Sequence, residues 1–350
     1  MENNSHIQLR CLGLNYRTAP VAVRERFAVP RSGLVQRNSA LVTLPGVQEC
    51  VLLSTCNRTE IYYWTECPEL AHKNIMAHCF GGEELSEPLS ACFYDFYGKS
   101  ALEHLARVAA GLDSMVVGET EIFGQLKEAY RAAQEAGSTS SAANRTFQRV
   151  FSVGKKVRTE TQVTSGPTSL GAVAVQLAGR ALGNLAGANV LVVGAGEIAR
   201  STAQSLRSRG AESIFVANRS YDRAVALAEQ VGGKVIRFSE WVPYLEQIDI
   251  VIVSTAAPVY VVTSEVLNSV LTARSHRPLF LIDLSVPRNI DPACAALPNV
   301  HVYDIDDMQG IVSDTHTRRS SQIERGMGII RDWLRENALD ILHRNAPKEA

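Results

Sequence analysis

The chain has 350 residues, enough for two domains and a small appendage, because a domain typically takes roughly 100 to 200 residues. A content of 46% hydrophobic and 20% charged residues is ordinary for globular proteins and excludes an extensively disordered chain. The formal net charge of −1 excludes an overall positive field that would attract nucleic acid or an anionic membrane, so any contact with RNA must use a local basic patch.

The sequence shows no sign of membrane insertion or export. No apolar stretch approaches the roughly 20 residues that a membrane-spanning helix needs, and the first ten residues, MENNSHIQLR, lack the apolar core of a signal peptide. The seven cysteines are odd in number and irregularly spaced, which argues against a disulfide framework. We therefore expect a cytoplasmic protein with free thiols and no membrane partner.

Predicted strands and helices are mixed in the first part of the chain. Residues 8–15 alternate loosely between apolar and polar side chains, and two short apolar runs, 49–54 and 60–64, flank a turn; all three favour strands. Between about 100 and 135 apolar residues recur at helical spacing, interrupted by GLDS and VVGE. A turn at 137–146 then leads to a further helix, FQRVFSVGKKVRTET. This region is predicted to be an α+β domain.

The segment CPELAHKNIMAHC, residues 67–79, contains two cysteines and two histidines, the side chains that zinc prefers. Their spacing fits no paired-ligand motif, and residues 69–79 have the pattern of a surface helix. We therefore predict no metal site.

From residue 189 onward, short continuous apolar runs alternate with helical patterns. The predicted strands are NVLVVG, SIFVAN, KVIRF, DIVIVS and PLFLIDL, and segments such as YDRAVALAEQV and SEVLNSVLTA lie between them as helices. This alternation indicates βαβ units and a parallel sheet covered on both faces. The second domain is predicted to be doubly wound.

The last predicted element is an amphipathic helix over residues 319–343, where apolar side chains recur at helical spacing opposite charged ones. We expect its stripe, which includes Ile330, Leu334 and Ile341, to pack on another surface. The fold class is therefore α/β, with three parts: an N-terminal α+β domain (1–160), a doubly wound Rossmann domain (161–310) and a C-terminal helical segment (311–350).

A dinucleotide-binding fingerprint stands in NVLVVGAGEIARSTAQSL, directly after an apolar strand and before a helix. Gly194 permits the tight turn, Gly196 lets the backbone approach a pyrophosphate, and Ala199 takes the place of the third glycine. The helix N-terminus then offers free N–H groups and a partial positive charge to the phosphates. An unoccupied turn of Rossmann type is the alternative. The expected cofactor contacts here are Gly194, Ala195, Gly196, Glu197, Ile198 and Ala199.

The residues after the next predicted strand indicate NADP rather than NAD. An NAD site presents Asp or Glu there to the ribose hydroxyl, whereas this chain has Asn218, Arg219 and Ser220. No carboxylate repels a 2′-phosphate, and Arg219 can pair with it and stack on adenine. A solvated arginine at a helix start is the alternative, but it leaves the missing acid unexplained. We expect NADPH as the cofactor.

Cys56 follows an apolar run in LLSTCNRTEIYYW, where Thr55, Asn57 and Arg58 surround it. A thiolate is the nucleophilic form of cysteine and is favoured near cationic groups, so this turn is expected to be exposed and electropositive. From these residues alone, a buried structural thiol and a catalytic nucleophile fit the pattern equally well.

Six stretches together resemble the glutamyl-tRNA reductase family. They are GLNYRTAPVAVRERFAV (13–29), LLSTCNRTEIYYW (52–64), HLARVAAGLDSMVVGETEIFGQLKEAY (104–130), VGKKVRTET (153–161), GAGEIA with ANRS, and LIDLSVPRNIDP (281–292). The resemblance runs in order over most of residues 10–310, whereas shikimate dehydrogenase and related enzymes share the Rossmann half only. It implies an NADPH-dependent enzyme of tetrapyrrole biosynthesis that makes glutamate-1-semialdehyde, with residues 1–160 as its catalytic domain.

The same resemblance implies the roles of two residues. Cys56 attacks the ester carbonyl of glutamyl-tRNA(Glu) and forms a thioester; NADPH delivers hydride to it, and collapse of the hemithioacetal releases the aldehyde. A thioester is a better hydride acceptor than an oxygen ester, because sulfur donates less resonance to the carbonyl. His104 is implied to assist catalysis, with a half-buried core histidine as the alternative.

Around Cys56, the resemblance implies a pocket for the glutamyl group. Arg58 is expected to pair with the substrate carboxylate as a fixed fork, and Glu119, on one pocket wall with Ser114, to accept the substrate ammonium. A surface arginine and a helix-capping acid are the respective alternatives. The implied substrate-binding residues are Thr55, Asn57, Arg58, Ser114, Glu119, Thr120, Glu121 and Gln125.

The chain departs from the family pattern in two places. The family shows GExQIxGQ where this chain has GETEIFGQ, so Glu121 replaces a glutamine; the extra carboxylate either strengthens ammonium recognition or turns outward. In addition, 40 residues follow Gly310 where family members continue into a helical dimerisation domain, which weakens the expectation of a homodimer. The aminomutase that takes up the semialdehyde is a further expected partner.

For tRNA, basic residues concentrate on the predicted helix between the domains. Phosphate contacts of this kind give affinity without sequence reading, and a solvated helix face is the alternative. The residues are Arg145, Arg149, Lys155, Lys156 and Arg158.

Two other functions stay open from the sequence. One is a non-catalytic paralogue that binds glutamyl-tRNA or a partner enzyme, against which the intact turn around Cys56 argues. The other is an NADPH-dependent reductase of another acyl thioester, in which the first domain accepts a different acyl donor.

Overall fold

A computed structural model of the chain describes residues 7–80, 87–164, 169–183, 185–211, 213–309 and 320–343. Contacts divide the chain into two compact units: the first combines residues 1–166 with 316–350, and the second contains residues 167–315. The C-terminal segment, which the sequence predicts as a separate part, therefore belongs to the first unit. No helix in the described ranges is long and apolar enough to cross a membrane.

The first unit contains a four-stranded antiparallel sheet between helices. Its strands are β1 (Gln8–Asn15), β2 (Glu49–Ser54), β3 (Arg58–Thr65) and β4 (Tyr94–Tyr97), in the spatial order β2-β3-β1-β4. Its helices up to residue 161 are α1 (Val21–Phe27), α2 (Leu34–Val42), α3 (Pro68–Phe80), α4 (Glu87–Ser90), α5 (Gly98–Ala110), α6 (Glu121–Glu135) and α7 (Ser141–Thr161), with a 3-10 turn at Arg31–Gly33. The α+β prediction for this region is confirmed.

Strand β3 is buried on both faces, and its side chains alternate across the sheet. Tyr62 and Trp64 pack with residues of α5 and α7 in one hydrophobic cluster, while Ile61 packs with residues of α2 and α3 in another. Arg58 and Glu60 have the same parity as Tyr62, so the pleat carries two charged residues into the interior on the α5 side.

Helix α7 begins earlier than the sequence predicts, inside the stretch 137–146 that was expected to be a turn. The carboxylate of Glu49 on β2 accepts hydrogen bonds from the backbone N–H groups of Ser140 at 2.6 Å and Ala143 at 2.8 Å. These bonds satisfy N–H groups that a helix leaves without partners in its first turn, and the negative charge suits the helix N-terminus. The capping residue is distant in sequence, so the local pattern does not reveal it.

The second unit is built on a six-stranded parallel sheet. Its strands are β5 (Asn189–Val193), β6 (Ser213–Asn218), β7 (Lys234–Arg237), β8 (Ile250–Val253), β9 (Leu279–Asp283) and β10 (Val300–Tyr303), in the spatial order β10-β9-β8-β5-β6-β7. Its helices are α8 (Leu170–Leu182), α9 (Glu197–Ser208), α10 (Tyr221–Val231) and α11 (Ser264–Leu271), with 3-10 segments at Val242–Glu246, Pro292–Ala296 and Asp306–Met308. The strand order reverses at β5, which is where Rossmann folds bind dinucleotides, and the doubly wound prediction is confirmed.

The C-terminal helix, α12, spans Ser320–His343 and packs on α5 and α7 of the first unit. Ile330, Leu334 and Ile341 are at most 2% exposed and lie in the same cluster as Tyr62. The apolar stripe is therefore used within the unit, and a second copy of the chain would have to bind another surface.

Candidate active site

Cys56 lies in the turn between β2 and β3, and Thr55 shapes that turn. The Thr55 hydroxyl accepts the backbone N–H groups of Asn57 and Arg58, each at 3.2 Å. The Thr55 N–H donates to the Arg58 carbonyl at 2.8 Å. The turn leaves the residue Cys56 half-buried, whereas Cys11 and Cys50 in the neighbouring strands are buried.

Arg58 does not have the position expected from the sequence. Strand β3 carries it inward, and its side chain is 1% exposed. Its Nη1 donates to the Glu60 carboxylate at 2.6 Å, and its Nη2 donates to Asp113, at 2.6 Å to the carbonyl and 3.1 Å to the carboxylate. The expectation that Arg58 pairs with the substrate carboxylate is therefore corrected. Both terminal nitrogens of Arg58 already donate to protein groups.

Glu60 is the centre of a buried hydrogen-bond network. Its other hydrogen-bond partners are the hydroxyls of Tyr62 and Tyr94, both at 2.5 Å, and Nε2 of His104 at 2.9 Å. Burial opposes the charge of Glu60, but Arg58, His104 and the hydrogen bonds outweigh it and hold the pKa of this carboxyl well below its usual range. The carboxylate is therefore ionised in the folded protein.

His104, predicted to assist catalysis, lies on α5 and is 6% exposed. Its ring packs against the Phe96 ring, with centroids 4.8 Å apart, and its Nε2 bonds Glu60. Among the hydrogen bonds between described residues, none joins His104 to Cys56. The structure therefore places His104 in the network around Glu60.

The segment between α5 and α6, residues 111–120, is a compact and mostly buried loop. It carries Ser114 and Glu119, which are 1% and 6% exposed. Gly111 (φ +73°) and Gly118 (φ +82°) adopt left-handed conformations that favour glycine, and the Gly118 N–H donates to the Gly111 carbonyl at 2.9 Å. These two glycines explain the break in the helical pattern at GLDS and VVGE.

Tyr16 ties this loop to the turn at Cys56. Its N–H donates to the Asn57 carbonyl at 2.9 Å, and its hydroxyl donates to the Ser114 carbonyl at 3.3 Å. Within the described part of the chain, Asn57 Oδ1 and Ser114 Oγ are buried and have no hydrogen-bond partner. Such atoms are rare in folded proteins, so we expect both to bond a ligand or water at this site.

The turn at Cys56 was expected to be electropositive, and this expectation is corrected. Two acidic side chains, Glu119 and Glu121, act on the Cys56 thiol. Burial, together with the carboxylates of Glu119 and Glu121, raises the pKa of the Cys56 thiol above its ordinary value. Arg24 opposes this shift, and its Nε donates to the Cys56 carbonyl at 3.3 Å. The nearby cation is thus Arg24, from a different helix, whereas Arg58 is held in the interior.

Glu121 turns inward, which excludes the alternative that its carboxylate points to solvent. It lies in the first turn of α6 and is 6% exposed. Thr120, also predicted as a substrate contact, is exposed, and Gln125 is half-buried one turn further along α6. The structure therefore brings Glu119 and Glu121 into the surroundings of Cys56 and leaves Thr120 at the surface.

Sequence reasoning did not single out Arg24, although it lies in one of the family stretches. Arg24 is 2% exposed, and its Nη1 also donates to the Ala19 carbonyl at 2.8 Å. The sequence did contain a signal that Arg24 is buried, because it follows Val21 at helical spacing. An arginine on a buried helix face needs hydrogen-bond acceptors. One of these acceptors comes from the Cys56 turn, which no spacing rule reveals.

One group of potential metal ligands occurs among the described residues. The ligand atoms of Cys11, Glu60 and His104 lie within 4.8 Å of one another. Glu60 and His104 are already hydrogen-bonded in the network, and burial raises the pKa of the Cys11 thiol well above its usual value, which disfavours the thiolate that a metal needs. The chemistry of these three residues therefore suits a hydrogen-bond cluster. Among the described residues, those of 67–79 do not form a group of potential metal ligands.

The dinucleotide fingerprint has the strand, turn and helix that it requires. Gly194 has φ +121°, and a Cβ on it would lie 2.0 Å from the Ser254 carbonyl oxygen. By contrast, a Cβ on Gly196, directly before α9, would meet no protein atom within 4 Å. Gly194 is thus required by the packing of the turn, and Gly196 leaves open space at the N-terminus of α9. A pyrophosphate fits there.

The other predicted cofactor residues are distributed around this turn. Ala195 and Ile198 are half-buried, Glu197 is exposed, and Ala199 is buried in the helix. At the end of β6, the Asn218 side chain donates to the Ser220 carbonyl at 2.9 Å, while Arg219 and Ser220 are exposed. The Arg219 guanidinium is therefore accessible to a 2′-phosphate.

Loops at the same end of the sheet are held together by Asp283. Its carboxylate accepts the backbone N–H groups of Ser285 at 2.9 Å, Asn289 at 2.6 Å and Ile290 at 2.8 Å. The hydroxyl of Thr255, which follows β8, donates to Asn289 Oδ1 at 2.5 Å. Burial raises the pKa of Asp283 to about 6 despite these bonds. The stretch LIDLSVPRNIDP thus has a structural role at the end of the sheet where the dinucleotide turn lies.

Replacing Arg219 with aspartate is expected to weaken NADPH binding about 10- to 100-fold, because a hydrogen bond between charged groups contributes roughly 1.5–3 kcal/mol. NADH affinity should change much less, since NADH has no 2′-phosphate. Fluorescence titration of the reduced cofactors measures both values. Arg209→Asp, at an exposed position after the far end of α9, is the matched control. An equal loss of affinity in the two variants would contradict the assignment.

The basic residues predicted to bind tRNA do not form one free patch. Lys155 and Lys156 are exposed on α7. Arg149, however, pairs with Asp340 of α12 at 3.3 Å, and Arg158 is half-buried and faces the acidic surroundings of Cys56. Of these residues, Lys155 and Lys156 are therefore the exposed ones for which the structure records no such interaction.

Two family models match the chain. The model described as Glutamyl-tRNAGlu reductase, N-terminal domain, matches residues 12–161, and that described as Shikimate / quinate 5-dehydrogenase matches residues 176–311. The first covers the Cys56 turn and the loop 111–120. The second covers the dinucleotide fingerprint.

Relatives and solved structures agree with the first of these models. Glutamyl-tRNA reductase of Akkermansia muciniphila is 51% identical over 328 residues, which cover 94% of this chain and 96% of the relative. That of Desulforudis audaxviator is 43% identical and covers 93% of this chain and 73% of the relative. The structure of Glutamyl-tRNA Reductase from Methanopyrus kandleri is 34% identical, with a TM-score of 0.50, and covers 96% of this chain and 80% of that one.

Proposed function

Because the chain belongs to the glutamyl-tRNA reductase family, we propose that its catalytic cycle passes through an acyl group on Cys56. The chain is an NADPH-dependent oxidoreductase that acts on glutamyl-tRNA in the first step of tetrapyrrole biosynthesis. The relative that is 51% identical over nearly the whole of both chains supports this identification most strongly.

In the proposed first step, the Cys56 sulfur forms a bond to the glutamyl carbonyl carbon, and the ester bond to the tRNA ribose oxygen breaks. The thiol proton ends on that ribose oxygen, so the products are an enzyme thioester and deacylated tRNA. The half-buried position of Cys56 supports this role, because the reaction needs access to the sulfur. NADPH, when bound, would supply the hydride that reduces the thioester to glutamate-1-semialdehyde, and a proton from solvent would return Cys56 to its thiol form.

The observation that carries the proposal is a pair of unpartnered oxygens in the same turn and loop. Asn57 Oδ1 follows Cys56 in the chain, and Ser114 Oγ lies in the loop that Tyr16 bonds to this turn. Glu119 adds a carboxylate to these surroundings. An ammonium group carries three donors and no acceptor, so a set of oxygens suits it. We assign the α-ammonium of the glutamyl group to this surface.

We assign positioning roles to Arg58 and His104. Arg58 begins β3 directly after the turn and is held in the interior by Glu60 and Asp113, while His104 bonds Glu60. Neither side chain needs to contact the substrate for this role. In the second unit, we assign the pyrophosphate to the turn at Gly196 and the 2′-phosphate to Arg219.

The decisive experiment is to incubate the full chain with charged glutamyl-tRNA in the absence of NADPH and to measure its intact mass. We expect an alkali-labile adduct with the mass of one glutamyl group on the wild type, and none on Cys56→Ser. Without a reductant the thioester has no path to the aldehyde, so it should accumulate.

Cys79→Ser provides the matched control, since Cys79 is another half-buried cysteine of the first unit. This variant should keep the adduct. Absence of an adduct on wild type would favour a protein that binds glutamyl-tRNA without reacting with it, and an adduct on Cys56→Ser would place the chemistry on another residue.

We further propose that the protein works in the cytoplasm, where charged tRNA is available, and that an aminomutase takes up its product. A free aldehyde is reactive, which favours rapid uptake by the next enzyme. A homodimer remains a prediction, and sedimentation at micromolar concentration tests it. A purely monomeric profile would contradict the predicted homodimer.

A further inference from the structure

Three arginines from separate parts of the chain converge on one buried carboxylate in the loop 111–120. Asp113, which directly precedes Ser114, is 2% exposed. Its Oδ1 accepts hydrogen bonds from Arg17 Nη1 at 3.0 Å and Arg107 Nη2 at 2.9 Å, and its Oδ2 accepts one from Arg58 Nη2 at 3.1 Å. Burial opposes the charge of Asp113, but the surrounding positive groups, Arg58 first, outweigh it and lower the pKa of this carboxyl. The carboxylate is therefore ionised and holds all three guanidinium groups.

Among the groups bonded in this cluster, positive charges exceed negative ones. The three guanidinium groups are paired with two carboxylates, those of Asp113 and Glu60. In addition, Nε of Arg107 is buried and has no hydrogen-bond partner in the described part of the chain. An anion would stabilise such a cluster, because charges and polar groups removed from water need compensation. The cluster is therefore a candidate site for an anionic group.

Arg17 and Arg107 are the members of this cluster that a ligand can reach. The Arg58 side chain is 1% exposed, and both of its terminal nitrogens donate to protein groups. The side chains of Arg17 and Arg107 are 43% and 32% exposed. Arg17 uses Nη1 for Asp113 and Nε for Tyr16, and no hydrogen bond between described residues involves its Nη2. Both arginines thus keep donors for an incoming carboxylate.

Arg17 lies beside the turn and the loop that carry the oxygens assigned to the α-ammonium. The Tyr16 hydroxyl accepts a hydrogen bond from Arg17 Nε at 2.9 Å and donates to the Ser114 carbonyl at 3.3 Å. The Tyr16 N–H donates to the carbonyl of Asn57, the residue after Cys56, at 2.9 Å. One tyrosine therefore joins Arg17 to both parts of the candidate site.

A glutamyl group carries two charges close to its reacting carbonyl, the α-ammonium and the γ-carboxylate. Because Arg58 is held in the interior, the γ-carboxylate needs another cation. We propose that Arg17, with Arg107 beside it on Asp113, binds the γ-carboxylate and so selects glutamyl-tRNA over glutaminyl-tRNA. The inference rests on the proposed function, because it names the partner of one group of that substrate.

Charge is the property on which this selection depends. The glutaminyl side chain has almost the same size and shape as the glutamyl side chain, so the shape of a pocket separates the two poorly. Guanidinium groups contain donors and no acceptor, and a neutral amide would place its own NH2 donors against them. A site built to bond one polar group rejects an analogue that leaves the protein groups unpaired.

Stable analogues of the charged 3′ end test this assignment without any acyl transfer. They are 3′-amino-3′-deoxyadenosine with a glutamyl or a glutaminyl group in amide linkage, and calorimetry with the full chain measures the dissociation constant of each. Wild type should bind the glutamyl analogue on the order of 10- to 100-fold more tightly, the factor expected from a hydrogen bond between charged groups. Arg17→Gln should lose most of this preference by binding the glutamyl analogue more weakly, with the glutaminyl analogue little changed. Arg17→Lys keeps the charge without the planar fork and should retain part of the preference.

Arg31→Gln is the matched control, because Arg31 is another exposed arginine of the first unit that pairs with a carboxylate, that of Glu128 at 2.7 Å. This variant should keep the wild-type preference. An equal loss of affinity for both analogues in Arg17→Gln would indicate a purely structural arginine and overturn the proposal. Equal binding of the two analogues by wild type, or binding of neither, would overturn it as well. Failure of the proposed function is a separate result, because it appears as a missing glutamyl adduct while the preference between the analogues persists.

Discussion

Replacing Glu60 with glutamine is expected to destabilise the first unit by about 3–5 kcal/mol, because removing one partner of a buried ion pair leaves the other charge without compensation. Arg58 is 1% exposed and would keep only Asp113 as an acidic partner. The hydrogen bonds from Tyr62 and His104 would also lose a charged acceptor. The measurement is urea unfolding monitored by hydrogen exchange in peptides of β3. It gives the free energy of unfolding of the first unit separately from that of the second.

The difference in stability between wild type and Glu60→Gln should depend on pH in a defined direction. The pKa of Glu60 is lowered in the folded protein, so its contribution is fully present above the unfolded value of about 4.3 and declines as the pH falls below that value. The difference should therefore shrink between about pH 5 and pH 3. Glu66→Gln, exposed just after the same strand, is the control and should change stability little. A difference that stayed constant over this range would contradict an ionised Glu60.

Replacing Gly118 with alanine is expected to reduce glutamyl transfer to Cys56 by about 100-fold, since a displacement of about 1 Å near a reacting group can have an effect of this size. A Cβ on Gly118 would lie 1.9 Å from the Val163 carbonyl oxygen and 2.7 Å from its carbon. Both atoms belong to the backbone, so the loop must move. It would take Glu119 with it, and the rate of adduct formation without NADPH measures the result.

Gly98→Ala separates this effect from the conformational preference of glycine. Gly98 also has a positive φ, +53°, but a Cβ there would meet nothing within 4 Å. Alanine at this position should lower stability by roughly 1–2 kcal/mol, the usual penalty of a left-handed conformation, and leave the transfer rate unchanged. Similar rates for Gly118→Ala and Gly98→Ala would show that the close contact with Val163 does not position the loop.

Both substitutions act on the support of the site and not on the reacting atoms. Glu60 holds Arg58 beneath the turn, and Gly118 permits the loop to approach the backbone near Val163. The turn at Cys56 and the loop at 111–120 come from separate parts of the chain, so their alignment depends on such interior contacts. Loss of either contact should therefore reduce the rate of glutamyl transfer although every residue near the sulfur is unchanged.

The fold was predictable from local patterns where those patterns reflect burial. The second unit has continuous apolar strands because its parallel sheet is covered on both faces. In the first unit β3 is also buried on both faces, and its side chains alternate across the sheet, so Tyr62 and Ile61 lie on opposite sides. The start of α7 was not predictable, because the cap comes from Glu49, more than one element away. Local sequence can show that a helix needs a cap but not which distant residue provides it.

By itself, the sequence determined the doubly wound domain, the cofactor turn and the position of Cys56 between two strands, since each depends on residues that are neighbours in the chain. Only the tertiary structure decided the electrostatics of the site. It turned Arg58 towards Glu60 and Asp113, placed Glu121 near the sulfur, and put His104 in the interior network. Charge interactions depend on distances through space and on burial, and neither quantity is contained in the order of residues along the chain.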